Sequence, residues 1–341
     1  MNLTAKDINL EDKKKAFLFS VAPMMDWTDR HCRYFHRKFT KNTLLYTEMV
    51  SSAALVKGKA FHLLDHSTEE HPLALQLGGS DPKELSEAAT IGENFGYQEI
   101  NLNVGCPSDR VQSGAFGAIL MKEPNLVEDC CRAMIEATSS TITVKCRIGV
   151  DDQDPIYVLP LFLNHLVDAG IRRVIIHARK AILKGLTPKD NRNIPPLDYD
   201  LVFKIKEKFP DMEIVLNGGI SNLKHAKELI AKGIDGAMIG REAYKKPGQV
   251  LSHADDIIFM ENKKKKSPLH IAIEMRHYIE NHLKNGGRPH QVTRHMMGLF
   301  HGMPGAKAWK QNLSSYTSGR NLEYYDTAIN AVSEELGSTV V

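Results

Sequence analysis

From about residue 16 to residue 249, short apolar runs alternate with stretches of helical spacing. The runs at residues 17–25, 44–49, 73–79, 99–107, 141–149, 173–179, 213–219 and 236–241 predict eight strands. Between most of them lie helical patterns, as at residues 125–139, 156–169 and 222–232. Strands that alternate with helices imply a parallel sheet with right-handed crossovers. Eight such units in about 235 residues fit a (β/α)8 TIM barrel, an α/β fold. Polar and glycine-rich signatures recur where the strands end: Met24-Met25-Asp26, Thr47-Glu48, Gln76, Asn103-Val104-Gly105-Cys106, Lys145, His177 and Asn217-Gly218-Gly219. That distribution favours a barrel mouth over a doubly wound sheet, whose glycines would gather after the first strand. The chain has no GxGxxG and no Walker A motif.

After residue 250 the pattern becomes helical throughout. A short helix is expected at 251–260 and an exposed linker at 261–268. Helical segments follow at 269–285, 291–301, 305–314 and 324–336, with a Gly286-Gly287-Arg288-Pro289 turn after the first. The expected organisation is an N-terminal extension at 1–15, the barrel at 16–249, and a linker with an all-helical C-terminal domain at 250–341.

Composition narrows the class. With 341 residues, 42% of them hydrophobic and 25% charged, the chain is an ordinary folded protein. Its first fifteen residues mix acids and bases without an apolar core, so no secretory signal is expected. No stretch approaches the ~20 apolar residues of a membrane helix. The five cysteines include no CxxC pair and are odd in number, which argues against structural zinc and against a disulfide framework. A cytoplasmic protein with reduced thiols, no metal and no membrane partner is expected.

The net charge of +3 is a cancellation. Residues 261–320 hold eleven Lys and Arg against three acids, and six of the 15 histidines. The last 21 residues carry four acids and no base, and the first 260 are near neutral at −1. A near-neutral barrel with a strongly basic helical attachment suits an RNA partner. Part of that charge is the Lys263–Lys266 run, which as a linker is expected to be solvated.

Cys106 stands at the fourth strand end, between Gly105 and Pro107. A thiol there is a candidate nucleophile or general acid. Cys32, Cys130 and Cys131 lie in helical segments and read as structural, and Cys146 follows Lys145, so it points to the opposite side of its strand. Asn217-Gly218-Gly219 and Gly240-Arg241 end consecutive strands, where barrels commonly bind phosphate. Lys145 could form a Schiff base or place positive charge beside an electron-rich cofactor, and the residue alone does not choose. His177 is equally a ligand or a satisfied structural group. Gln76 offers a donor and an acceptor to a heterocycle.

Seven motifs then occur in order: Ala22-Pro23-Met24, Leu75-Gln76-Leu77-Gly78-Gly79, Asn103-Val104-Gly105-Cys106-Pro107, Val144-Lys145-Cys146-Arg147-Ile148-Gly149, His177-Ala178-Arg179, Asn217-Gly218-Gly219-Ile220 and Gly240-Arg241. Together they resemble the tRNA-dihydrouridine synthases, flavoenzymes with an FMN-binding barrel and a C-terminal helical domain. Residues 177–199 and 294–309 resemble the A branch of that family, which acts on uridines 20 and 20a of the tRNA D-loop. Ile182 and Lys307 depart from the branch, where an aromatic and an arginine are usual.

The resemblance implies that Pro23, Met24 and Met25 lie against the flavin and that Gln76 bonds its ring. Lys145 would face the N1/C2 edge. His177, Asn217, Gly218, Gly219, Gly240 and Arg241 would hold the ribityl chain and phosphate. NADPH would reduce the flavin, hydride would pass to uracil C6, and Cys106 would protonate C5 as general acid. Asn103 would meet the substrate base. The expected tRNA contacts are Lys184, Lys189, Asn191, Arg192, Arg294, His295 and Lys307, and a monomer is expected. A flavin-dependent dihydropyrimidine or dihydroorotate-type dehydrogenase is the rival enzyme class, but it would leave the basic helical region without a role. A catalytically dead tRNA-binding barrel would have lost Cys106 or Lys145, and both are present.

Overall fold

The computed structural model describes residues 16–108, 114, 116–261, 265–315 and 322–337. The expected N-terminal extension and Lys263 and Lys264 of the linker lie outside the described residues. All eight expected strands are present: β1 (Phe19–Val21), β2 (Leu45–Ser51), β3 (Leu73–Gly78), β4 (Glu99–Val104), β5 (Thr141–Arg147), β6 (Arg173–His177), β7 (Glu213–Asn217) and β8 (Gly236–Ile239). Every neighbouring pair is parallel, in the order β1-β8-β7-β6-β5-β4-β3-β2. The Ser20–Leu44 bridge closes the ring, with Val21 N donating to Leu44 O at 3.0 Å. The first strand is shorter than residues 17–25: it runs only from Phe19 to Val21, and the backbone then leaves the sheet and turns at residues 25–27 to begin the mouth.

A helix follows each strand: α1 (Arg30–Arg37), α2 (Ser52–Val56), α3 (Pro82–Asn94), α4 (Pro124–Ala137), α5 (Pro155–Asp168), α6 (Tyr199–Lys208), α7 (Leu223–Ala231) and α8 (Arg241–Lys245). Their starts are written locally. Asp81, Asp154, Asp198 and Asn222 accept backbone N–H bonds as N-caps of α3, α5, α6 and α7, and proline opens α3, α4 and α5.

Strand pleating sorts the barrel residues into two sets. Leu75, Leu77, Ile100, Leu102, Val144, Cys146, Val174, Ile176, Ile214 and Leu216 point outward into the main core with the helices. Phe17, Ala22, Leu44, Tyr46, Ala74, Ile175, Val215 and Met238 form a separate inner cluster. By the same alternation, Gln76, Asn103, Lys145, His177 and Asn217 point inward at the carboxyl ends of their strands. Cys146 faces outward and is buried, as its place beside Lys145 requires.

Beyond the barrel the chain forms α9 (Pro247–Val250), α10 (Ala254–Ile257), α11 (Pro268–Lys284), α12 (Pro289–Thr293), α13 (Ala306–Ser314) and α14 (Glu323–Glu335). Of the helix expected at 251–260 only the four residues of α10 are helical, and α9 precedes that segment. The segment 291–301 is helical only at its start, passing through a 3₁₀ turn at Arg294–Met296. This helical region has its own core around Ile271, Met275, Phe300, Trp309 and Tyr325, and Phe35 of α1 packs into it. Among the described residues no helix is long and apolar enough to cross a membrane.

Candidate active site

The carboxyl ends of the strands form a mouth centred on Cys106. The thiol is half-buried, whereas Cys32, Cys130, Cys131 and Cys146 are buried. Its loop is held from below by Asn103, whose Oδ1 accepts from both Gly105 N and Cys106 N at 3.0 Å. From the side, Arg147 Nε donates to Gly105 O at 3.1 Å. Ala118 N donates to Cys106 O at 2.9 Å, and Ser108 Oγ lies 3.4 Å from Cys106 Sγ. A Cβ on Gly105 would come within 3.3 Å of the β5 backbone, so this loop sits close against its neighbour.

Beside the thiol, cations gather, with no carboxylate paired to them among the described residues. Lys145, Arg147, Arg179, Arg192 and Arg241 make no ion pair among the described residues. Burial and the Arg147 charge lower the Lys145 ammonium to about 8. Burial and the charges of Arg192 and Arg179 lower Arg147 to about 10. His177 is pushed well below the usual histidine range by burial and by Arg147, Lys145, Arg179 and Arg192, so the ring is neutral at pH 7. Its buried Nδ1 and the buried Arg179 Nε have no hydrogen-bond partner among the described residues. Uncompensated cations and orphaned polar atoms mark a place for an anionic ligand with hydrogen-bonding groups.

The glycines fit that ligand. Gly218 and Gly219 adopt φ of 108° and 69°, and a Cβ on Gly219 would come within 2.4 Å of Leu197 Cδ1. Asn217 Nδ2 donates to Met238 O at 2.8 Å, and His177 pairs in register with Asn217. Gly240 precedes Arg241 at the start of α8, near Met24. Arg241 Nη1 donates to Asn193 Oδ1 at 2.9 Å. Pro23 and Met24 line the end of β1, and Met25 is 49% exposed there. Gln76 is buried, with Nε2 donating to Asn101 Oδ1 at 2.8 Å and Oε1 accepting from Asn103 Nδ2 at 2.9 Å.

The expected RNA contacts divide. Lys184, Lys189, Arg192 and Lys307 are exposed. Asn191 is not on a surface: it is fully buried, Oδ1 accepting from Ile182 N at 2.7 Å and Nδ2 donating to Ile182 O at 2.8 Å. It shapes the β6–α6 loop, which Arg147 joins to the Cys106 loop by donating to Asn191 O at 3.0 Å. His295 is also buried, 1% exposed, between Asp29 Oδ2 at 3.0 Å and Tyr244 Oη at 3.1 Å. Arg294 binds the same Asp29 oxygen at 2.6 Å. Asp29 also caps α1, so this cluster fastens the helical region to the barrel. Burial opposes ionisation of Asp29, but the His295 hydrogen bond and charge outweigh it and hold the carboxyl well below its usual range.

Some site residues carry little local signal in the sequence. Arg147 and Arg179 stand in the motifs of Lys145 and His177 with no role of their own expected, and the strand residues Asn101 and Thr143 likewise carry no expected role. The alternation Glu99-x-Asn101-x-Asn103, polar on the inward side of a buried strand, is the available signal.

Comparison with known proteins agrees with this geometry. The family model described as dihydrouridine synthase matches residues 20–333. A protein of Vibrio parahaemolyticus described as tRNA-dihydrouridine(20/20a) synthase is 50% identical over 320 residues, 93% of this chain and 97% of its own. Proteins of the same description from Escherichia coli K12 and Shewanella oneidensis are 50% and 48% identical, covering 93% and 96% of this chain and 92% and 98% of their own. The match spans every strand end that builds the mouth, and the chain belongs to the dihydrouridine synthase family.

Proposed function

We propose that this protein reduces uridine to 5,6-dihydrouridine in the D-loop of tRNA, at positions 20 and 20a, using FMN and NADPH in the cytoplasm. The observation that carries the reading is the half-buried Cys106 thiol, fixed by Asn103 and Arg147 beside a cluster of cations that make no ion pair among the described residues. A bound FMN, reduced by NADPH, supplies the hydride for uracil C6. Cys106 holds a proton and delivers it to C5 of the same base.

The residues present suit an FMN. Lys145 and Arg147 would offer positive charge to the ring of a reduced flavin. His177 Nδ1, Arg179, Arg241 and the Gly218–Gly219 turn suit a ribityl phosphate. Gln76 retains one amide N–H beyond its bond to Asn101, suited to a ring acceptor. Pro23, Met24 and Met25 offer an apolar surface against one side of the ring. Asn103 keeps one amide N–H for the base.

The base must leave its stack to reach the mouth, which favours a loop nucleotide. Lys184, Lys189, Arg192 and Lys307 supply exposed charge for the RNA backbone. Asn191, Arg294 and His295 serve this surface indirectly, by shaping the loop and fixing the helical region. We take the protein to act as a monomer, without a metal.

The test is mass-spectrometric mapping of dihydrouridine in tRNA from a strain lacking the gene, complemented with the unaltered protein or with Cys106→Ala. Loss at positions 20 and 20a, restored only by the unaltered protein, is expected. Restoration by Cys106→Ala removes Cys106 from the acid role. Full modification in the deletion strain overturns the site assignment. Reduction of free uracil or dihydroorotate chemistry at comparable efficiency would favour a free-base dehydrogenase.

A further inference from the structure

Beneath Cys106 a chain of hydrogen bonds descends through the barrel interior. Asn103 Oδ1 accepts from Gly105 N and Cys106 N at 3.0 Å. Asn103 Nδ2 donates to Gln76 Oε1 at 2.9 Å, and Gln76 Nε2 donates to Asn101 Oδ1 at 2.8 Å. Asn101 Nδ2 donates to Thr143 Oγ1, and Thr143 Oγ1 donates to Glu99 Oε1, both at 2.9 Å. Every member from Glu99 to Asn103 is buried. Strand register makes the chain possible, since Gln76 pairs with Asn101 across β3–β4 and Asn101 with Thr143 across β4–β5.

The two ends of this chain differ chemically. The upper end is a pair of backbone N–H groups, which can only donate. The lower end is a carboxylate, which can only accept. Glu99 is held there by Arg173 at 2.8 Å and by the Tyr46 hydroxyl at 2.6 Å. Three side-chain amides and one hydroxyl lie between. Each amide can flip in principle, exchanging its donor and acceptor ends. Reasoning upward from Glu99, Thr143 must donate to the carboxylate, so Asn101 must turn its NH2 to Thr143 and its oxygen to Gln76. Gln76 then turns its oxygen to Asn103, which turns its own to Cys106 N. Reasoning downward from the Cys106 amide gives the same assignment. Only one orientation of all three amides leaves no buried donor facing a donor.

We propose that Asn101 and Thr143, seated over Glu99, are positioning residues that fix the Gln76 and Asn103 amides and thereby the backbone presenting Cys106. The proposal rests on the functional reading above only for its catalytic consequence. Neither residue reaches the mouth itself. A broken chain leaves Gln76 free to flip, which turns an NH2 toward the Asn103 NH2 and loosens the acceptor beneath Cys106.

The test compares Thr143→Val, which removes the hydroxyl at nearly constant volume, with Thr143→Ser, which keeps it. The first readout is alkylation of Cys106 by iodoacetamide, followed at its peptide by mass spectrometry. It needs no RNA, and the other four cysteines are buried. Thr143→Val is expected to speed alkylation by about threefold as the loop loosens. Its turnover on tRNA should fall by about tenfold at unchanged KM, because orientation rather than binding is lost. Thr143→Ser should restore both values. Where Thr143→Val does not fold, Asn101→Ser is measured in the same two ways with the same expectation. Unchanged alkylation and turnover in either folded variant, or no rescue by Thr143→Ser, overturns the proposal. Altered alkylation in a protein that makes no dihydrouridine would instead retain the positioning role and overturn the functional reading.

Discussion

The two walls of the barrel interior are built on opposite principles. On the β6–β8 side, below His177 and Asn217, Ile175, Val215 and Met238 pack with Phe17 and Ala22 in an apolar cluster that extends to Leu44, Tyr46 and Ala74. On the β3–β5 side, Gln76, Glu99, Asn101, Asn103 and Thr143 form a hydrogen-bonded ladder that ends under Cys106. Apolar packing fills space and tolerates small changes of side-chain orientation. A buried polar ladder tolerates none, since each misplaced group leaves a partner unsatisfied. The wall carrying the thiol is therefore the one that transmits orientation.

The largest expected effect comes from the base of the polar wall. Glu99→Leu removes the partner of buried Arg173 and the acceptor of Tyr46 and Thr143. Breaking a buried ion pair costs about 3–5 kcal/mol. Glu213 keeps a second contact to Arg173 at 2.9 Å, so the lower end of that range is expected. Chemical denaturation measures it, and a loss below about 1 kcal/mol would make this pair no more than a surface contact. The apolar wall provides the contrast. Val215→Ala should cost about 2 kcal/mol through lost burial and a small cavity. It should leave Cys106 alkylation and turnover at their unaltered values. A variant on this wall that changed either would erase the distinction between the two sides.

The same contrast explains what was legible in the sequence. The eight strands were legible because apolar alternation and outward-facing residues such as Leu75, Leu102 and Val144 mark buried strands regardless of what lies inside. Cys106, Lys145 and His177 were legible because they sit at strand ends, where a barrel turns its chemistry outward. Asn191 and His295 were expected at an RNA surface from their position among basic residues. A polar residue in a long loop or at a domain junction can equally be spent on backbone or on a neighbouring carboxylate, and composition does not separate the two. The roles of Asn101 and Thr143 depend on register between strands far apart in the chain. No local pattern encodes that register. The first strand was overestimated for a related reason, since the apolar residues after Val21 serve the mouth rather than the sheet.

The smallest expected effect tests where the two walls meet, at Lys145. This residue lies in register with Asn103 on the polar side and Ile175 on the apolar side. Burial and Arg147 lower its pKa from 10.5 to about 8 in the folded protein. Between those values the unfolded chain binds a proton that the folded chain does not. Stability should therefore rise as pH increases from about 8 to about 10.5. Water reaching the half-buried side chain limits the gain to the order of 1 kcal/mol. Arg147, lowered to about 10, titrates over part of the same range, so the slope assigned to Lys145 is the difference from Lys145→Met. That variant should be more stable than the unaltered protein at pH 7 and lose the added slope. FMN kept reduced under anaerobic conditions should also flatten the slope, because the anionic reduced ring beside the ammonium restores its affinity for the proton. Thermal denaturation across this pH range, with and without reduced FMN, measures each arm. An identical slope in Lys145→Met would place the ammonium in water and remove it from the cation cluster at the mouth.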